Sequence, residues 1–435
     1  MSATRNGAAA APLSDKVSQE TVQAGTAASQ PVFEEIENGA TADTVVASFL
    51  QAAVKMEASD LFFASSDDGL DVTVRSMGII KALAKVPREL GMRCLVCLRN
   101  LASMKLDEHR RPMDGRGRFQ LNDGRWVDVR ASMIPTLYGE SMALRLLVPD
   151  SRLRRLDALG FVGPQLSLVT GLLENPGGMV LMTGPTGCGK TTTLYSCLHH
   201  LNDGRRRIHT LEDPIEYSVR GLHQTQISSL QGTDFAEMLR GVVRQNPDVI
   251  MVGELRHPLA VETAVRAANS GQLVFASLHS AVAASAVQSM ISLGATPYFL
   301  ATSLLAVISQ RLMRTLSAET RVPLNLSLAP HTFDEVRCWL QPEEGPTVYA
   351  ANDHGNPDEG YKGLTGLFEV LMVTPAIRRL ISDGRPASEI ARCAVDDGMV
   401  DFRRAGLIKV AQGITSFDEM QRVVPNIADA LLADA

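Results

Sequence analysis

Eight residues, Gly184-Pro-Thr-Gly-Cys-Gly189-Lys190-Thr191, constrain this chain more than any other stretch. They fit GxxxxGKT, follow the apolar run GGMVLMT and open the helix-like segment TTTLYSCLHHL. Strand, glycine-rich loop and helix in that order are the context a phosphate-binding loop requires. Its glycines let backbone N–H groups turn inward around phosphate oxygens, and the helix start adds partial positive charge. The candidate nucleotide-binding residues are Gly184, Pro185, Thr186, Gly187, Cys188, Gly189, Lys190, Thr191 and Thr192. Lys190 would neutralise the β- and γ-phosphates of ATP, and the Thr191 hydroxyl would ligate Mg²⁺.

Four short apolar runs surround this loop: GGMVLMTG, RRIHTLED, DVIMVGEL and GQLVFASLHS. Each is too short for a typical helix and is separated from the next by helical material, which predicts a mostly parallel sheet in an α/β layer fold. Ligands of open α/β sheets bind at the carboxyl ends of the strands, so polar residues ending these runs are candidates for chemistry. Asp248 starts the third run and is expected to hold Mg²⁺; Glu254 ends it and is expected to act as general base. LEDPIEY crowds Glu212, Asp213 and Glu216 together, a like-charge cluster that is costly without a nearby cation, and Glu212 is a catalytic candidate. His279 ends the fourth run, where it could contact phosphate.

The rest of the 435 residues exceed one hydrophobic core, so two or three domains are expected. Residues 1–40, rich in Ala, Ser, Thr and Gln, are expected to be a disordered tail. Residues 41–150 read as a compact α+β domain, with a helix over Thr41–Glu57, strands in DLFFA and LDVTVRSMGII, and a helix near 88–104. Two further strand-like runs, GRWVDVRASMIPT and ESMALRLLV, close it. A linker at 151–158 leads to a second, α/β domain at 159–435, which includes an irregular subdomain at about 316–372 and short helices over 373–435.

A net charge of −6 disfavours a protein whose task is to coat nucleic acid. No run reaches the ~18 apolar residues of a membrane span. The nearest, Tyr298 to Ile308, is interrupted by Thr302 and Ser303. The start lacks the apolar core of a secretory signal, so a cytosolic protein with reduced thiols and at most peripheral membrane contact is expected. Cys94 and Cys97 form a CxxC with no second ligand pair, and read as core residues of an amphipathic helix.

The P-loop, LEDPIEY, RQNPDVIMVGELR and GQLVFASLHS, in that order, resemble the type II/type IV secretion ATPase superfamily, from about Asp43 to Val423. They correspond to its Walker A, Asp box, Walker B and His box. The resemblance implies a RecA-like P-loop NTPase domain preceded by a smaller PAS-like α+β domain, in a ring of six. It implies an ATPase that powers assembly of a type IV pilus or type II secretion pseudopilus. Such a motor would act with an inner-membrane platform protein, at the cytoplasmic face of that membrane. RPMDGRGRFQLNDGRWVDVRASMIPTLYGESMALRLL is similar to the stretch whose arginines reach the nucleotide in this family. By that match Arg116, Arg130 and Arg145 are candidate arginine fingers, with Arg244 and Arg256 as further possibilities.

GYKGLTGLFEVL resembles the end of the metal-binding subdomain in assembly-type relatives, which favours assembly over retraction. The two CxxC pairs that bind zinc in those relatives are missing, and Cys338 alone cannot replace them, so no structural zinc is expected. The sequence also departs from the family at His257, where Asp is usual, and in GQ and LHSA where GH and LHTN are usual. Those changes keep a second possibility open, a catalytically weak nucleotide-binding regulator of a paralogous motor. A nucleic-acid translocase on the same core is a third, disfavoured by charge.

Overall fold

A computed structural model of the chain describes residues 41–147, 154–227, 235–326, 331–352 and 360–425. The tail expected at 1–40, the first residues of the expected linker and residues 426–435 lie outside the described residues.

The first described unit is built on helix α1 (Ala42–Lys55), strands β1 (Ala58–Ser65), β2 (Gly69–Ser76) and β3 (Ile79–Pro87), and helix α2 (Arg88–Leu101). Strands β4 (Met113–Gln120), β5 (Trp126–Thr136) and β6 (Gly139–Leu147) complete it. Helix α1 starts where the Thr41 hydroxyl accepts the Thr44 amide and buries Val45, Val46, Phe49 and Leu50 at helical spacing. The six strands pair antiparallel in the order β3-β2-β1-β6-β5-β4, with α1 and α2 packed on the core side.

Strand β4 was not expected, because MDGRGRFQ alternates glycine with arginine instead of showing an apolar face. A Cβ at Gly117 would lie 1.9 Å from the Leu101 carbonyl oxygen, so the end of α2 rests directly on the strand backbone. Glycine there replaces the side chains that a strand pattern would display. On α2, Cys94 is buried and the half-buried Cys97 thiol donates to the Asp43 carboxylate at 2.9 Å. Burial, with Asp43 adding to it, pushes the two thiols up to about 11 and about 12, so neither is a ready thiolate.

The second unit begins with α3 (Gln165–Leu173), β7 (Gly178–Thr183), α4 (Lys190–Leu201), β8 (Ile208–Glu212) and β9 (His223–Gln226). It continues through α5 (Phe235–Val243), β10 (Val249–Val252), α6 (Pro258–Asn269), β11 (Leu273–Ser277), α7 (Ala283–Ser292) and α8 (Pro297–Ser303). Strands β12 (Leu304–Leu316), β13 (Val322–Asn325), β14 (Thr347–Ala350) and β15 (Tyr361–Met372) follow. The chain then forms α9 (Pro375–Ser382), α10 (Ala387–Asp396), α11 (Phe402–Ala411) and α12 (Phe417–Val423).

Seven of these strands form one sheet in the order β15-β12-β7-β11-β10-β8-β9. All its neighbours pair parallel except β12 and β15. Helices cover both faces: Met179, Leu181 and Val252 pack toward α5–α10, while Val180, Met182 and Met251 pack toward α3 and α4. A sheet buried on both sides favours largely apolar strands, which is why the four runs stood out in the sequence, although β8 also buries His209 and Thr210.

The long β12–β15 pair did not stand out. Its polar residues Ser309, Gln310, Arg311 and Arg314 break the apolar rhythm, although Ser309 and Gln310 are buried. The run Tyr298 to Ile308 divides between α8 and the start of β12. Among the described residues no helix is long and apolar enough to cross a membrane.

The two-stranded ribbon of β13 and β14 occupies the stretch where the zinc cysteines would be expected. Among the described residues, Cys338 is exposed and no three His, Cys, Asp or Glu lie together as a metal would need. A different clasp fixes the ribbon. The Arg321 guanidinium lies 3.9 Å from the Tyr349 ring centroid and donates to the Gly413 carbonyl at 2.8 Å, tying both strands to the end of α11.

Candidate active site

The parallel register brings four strand ends to one edge of the sheet. β7 delivers Gly184, β8 delivers Glu212 and Asp213, β10 delivers Glu254, and β11 delivers His279. The loop after β7 has Gly184 at φ 138, Gly187 at φ 77 and Gly189 at φ 90. Gly184 must be glycine twice over, since a Cβ there would meet the Gln310 carbonyl oxygen at 2.3 Å. Gly189 caps α4, so Lys190, Thr191 and Thr192 form its first turn and leave its amides for phosphate oxygens. Pro185 and Thr186 are exposed at the loop tip, and Cys188 is buried under it.

Lys190 Nζ donates to the Gly184 carbonyl at 2.7 Å and to Pro185 at 3.1 Å, and lies 3.4 Å from His279 Nδ1. Burial lowers its pKa, while Cys188 and Glu254 oppose the shift. The other imidazole nitrogen of His279 is 3.3 Å from Glu254, whose second oxygen accepts from Arg256 at 2.6 Å. Burial would raise the Glu254 carboxyl, but Arg256, His279 and Lys190 together outweigh it and hold it below the usual range. A carboxylate ionised at neutral pH, partly open to solvent and linked to the P-loop lysine through one imidazole can orient and deprotonate a water.

Glu212 is not part of that chain. Its carboxylate is buried and accepts from the Tyr195 hydroxyl, from Thr210 Oγ1 at 2.5 Å and from Gln224 Nε2 at 3.3 Å. Tyr195 and Thr210 are buried and Gln224 partly so, and together they tie Glu212, at the start of the Asp-box loop, to α4 and β9.

Asp248 requires a correction. It precedes β10 at the amino edge of the sheet, and its carboxylate accepts the Arg207 amide at 2.7 Å. Five strand steps of about 3.3 Å place it roughly 17 Å from the P-loop edge. It secures the entry of β8 and β10 and cannot share an ion with Thr191. Asp248→Ala should therefore lower stability by about 1–2 kcal/mol through the orphaned Arg207 amide. Any turnover per folded subunit should stay within about twofold, and a collapse of turnover without loss of stability would restore the metal assignment.

Two of the three N-terminal arginines stay in their own sheet. Arg145 donates to Asp60 at 3.2 Å, and Arg116 is exposed on β4. Arg130 instead reaches the Asp-box loop, donating to the Ile215 carbonyl at 3.2 Å and lying 3.7 Å from Glu216. Gln310 was missed from sequence. It underlies the loop, with its backbone against Gly184 and its side-chain oxygen accepting from Thr193 at 2.8 Å. Its signal was the polar run Ser309-Gln-Arg directly after the apolar stretch Leu304–Ile308, a polar burial that needs a reason.

Residues 35–422 match the family described as type II/IV secretion system protein. The chain belongs to that family. Among curated relatives, this secretion-system protein is similar to the type IV pilus assembly ATPase PilB of Acinetobacter baylyi, 37% identical over 373 residues that cover 85% of this chain and 64% of PilB. It is also similar to the type II secretion system protein E of Dickeya dadantii, 36% identical over 380 residues, covering 87% and 75% of the two chains. The chain thus spans just under two-thirds of the length of the pilus-assembly relatives it matches.

Among solved structures, the Legionella pneumophila ATPase DotB has a TM-score of 0.68 at 18% identity, covering 93% of this chain and all of DotB. The pilus retraction motor PilT with bound ADP has a TM-score of 0.57 at 23% identity, covering 88% and 98%. These likenesses show the fold, an α/β RecA-like P-loop domain behind a smaller N-terminal one.

Proposed function

We propose that this secretion-system protein is an ATP-hydrolysing motor that works as a homohexamer. It would power assembly of a type IV pilus or a type II secretion pseudopilus. The observation that carries the proposal is the chain Lys190–His279–Glu254, which joins the P-loop to an ionised carboxylate at the end of the Walker B strand. ATP would sit with its phosphates on the loop amides and Lys190, and Glu254 would take a proton from the attacking water. The left-handed glycines of the loop form a cradle that fits phosphate. The Thr191 hydroxyl would hold Mg²⁺, which supplies charge neutralisation on the phosphate oxygens. His279 would orient Glu254 and meet the γ-phosphate; its 3.3 Å approach to Glu254 supports that reading. Arg130 is the favoured candidate for carrying the N-terminal unit toward the nucleotide, since it alone of the three arginines engages the Asp-box loop.

Assembly is favoured over retraction because the relatives above 35% identity are named for pilus assembly or secretion, and the retraction motor resembles this chain in fold only. The motor would act on an inner-membrane platform protein, peripherally, from the cytoplasmic face. Steady-state phosphate release from MgATP by the full chain, measured beside light scattering, tests the proposal. Turnover that rises as six-subunit particles form is expected. Six-subunit particles that bind ATP and release no phosphate would make the chain a nucleotide-binding regulator instead.

A further inference from the structure

A buried carboxylate ties the turn after His279 to the C-terminal helices, and the hydrolysis scheme does not use it. Glu369 on β15 lies opposite Ser309 of β12, which in turn lies opposite Thr183 at the end of β7. All three are buried, so they form a polar row across the sheet immediately before the P-loop.

The turn between His279 and α7 is held at three successive points. Thr183 Oγ1 donates to the Ser280 carbonyl at 3.0 Å. Arg311 Nη2 donates to the Ala281 carbonyl at 3.3 Å. The Ala283 amide donates to Glu369 at 2.9 Å. Ala283 is the first residue of α7, so Glu369 satisfies an orphan donor at that helix start from a strand far away in sequence.

Two of these groups also reach the start of α11. Glu369 lines one small cavity with Val282, Ala284 and Asp401, the residue that caps α11, and the Arg311 guanidinium lies 5.6 Å from the centroid of the Phe402 ring. The carboxylate that holds the start of α7 thus sits beside the start of α11. Burial and the neighbouring Asp401 push the Glu369 carboxyl up to about 7, although the Ala283 amide and Arg311 work against the shift. An apolar residue would fill this position without a desolvation cost, so packing alone does not account for a carboxylate here.

We propose that Glu369, together with Arg311, is a positioning residue that couples the start of α11 to the turn carrying His279. A shift of the C-terminal helices then moves His279 relative to Glu254, and closure of the site around nucleotide moves the helices in return. Its catalytic consequence rests on the proposed hydrolysis; the coupling itself does not.

The test uses the full chain, Glu369→Gln, and Arg311→Lys as a second variant that keeps the charge but loses the planar fork. Hydrogen exchange read by mass spectrometry should quicken at least about tenfold in peptides covering 280–285 and 402–405, while the peptide covering 184–192 is unchanged. With hydrolysis, kcat should fall roughly tenfold to a hundredfold, with the Kd for a fluorescent ATP analogue within about twofold of wild type. Unchanged exchange at 280–285 in both folded variants overturns the coupling. So does a kcat per folded subunit that matches wild type, because a purely structural role would lower only the melting temperature. If wild type binds ATP without hydrolysing it, hydrolysis is excluded, and the exchange experiment still decides the coupling.

Discussion

Glu254→Gln should cut the turnover of MgATP by about 10²–10⁴-fold while leaving nucleotide affinity within about threefold of wild type. The amide preserves the shape of the side chain and can still receive a hydrogen bond from Arg256, so the P-loop and the fold are undisturbed. It cannot accept a proton from water, and it removes the negative end of the chain that runs from Lys190 through His279. The pH dependence gives a second check. Because Arg256, His279 and Lys190 outweigh burial and hold the Glu254 carboxyl low, the base stays ionised as pH falls. The acid limb of the wild-type rate should then lie below the ordinary glutamate value of about 4.3, and should vanish from the residual rate of the variant. Single-turnover phosphate release across pH measures both. A variant turning over at more than about a tenth of the wild-type rate would remove Glu254 as the base.

Lys190→Ala should weaken ATP binding by about 2–5 kcal/mol, which is roughly 30-fold to several thousandfold in Kd. The ammonium is partly desolvated and aimed along the loop by the Gly184 and Pro185 carbonyls, so it meets phosphate with little reordering. Burial of that charge is itself unfavourable, so its removal should leave the melting temperature nearly unchanged. Titration with a fluorescent ATP analogue, beside thermal unfolding, separates the two effects. An affinity within about threefold of wild type would show that the loop amides alone hold the phosphates.

The strand-ends at the P-loop edge were legible because a sheet covered on both faces favours largely apolar strands, and each polar residue ending one is conspicuous. That exposed Glu254, His279 and the loop. The same logic misled at Asp248, since a carboxylate at either end of a strand looks alike in sequence, and only chain direction tells which edge it serves. Glu212 also read as an open acidic group; its partners Tyr195, Thr210 and Gln224 come from three different elements. Strand β4 was hidden by the glycines that admit α2, and β12 by its buried Gln310 and partly buried Arg311. Both exceptions arise where backbone or polar contacts, instead of apolar burial, set the structure.

The β12–β15 pair has a mechanical consequence. Gln310 and Phe368, opposite one another, lie beside the P-loop, whereas Leu316 and Tyr361 pair at the far end. Six strand steps of about 3.4 Å separate the two, so a rotation of about 10° at the loop sweeps the far end through roughly 3.5 Å. That end is clamped to α12: Arg314 pairs with the buried Glu419 at 2.9 Å, and the Tyr361 and Ser416 hydroxyls lie 2.7 Å apart. Any such rotation would therefore carry α12 with it, because the β12–β15 pair joins that helix to the floor of the P-loop.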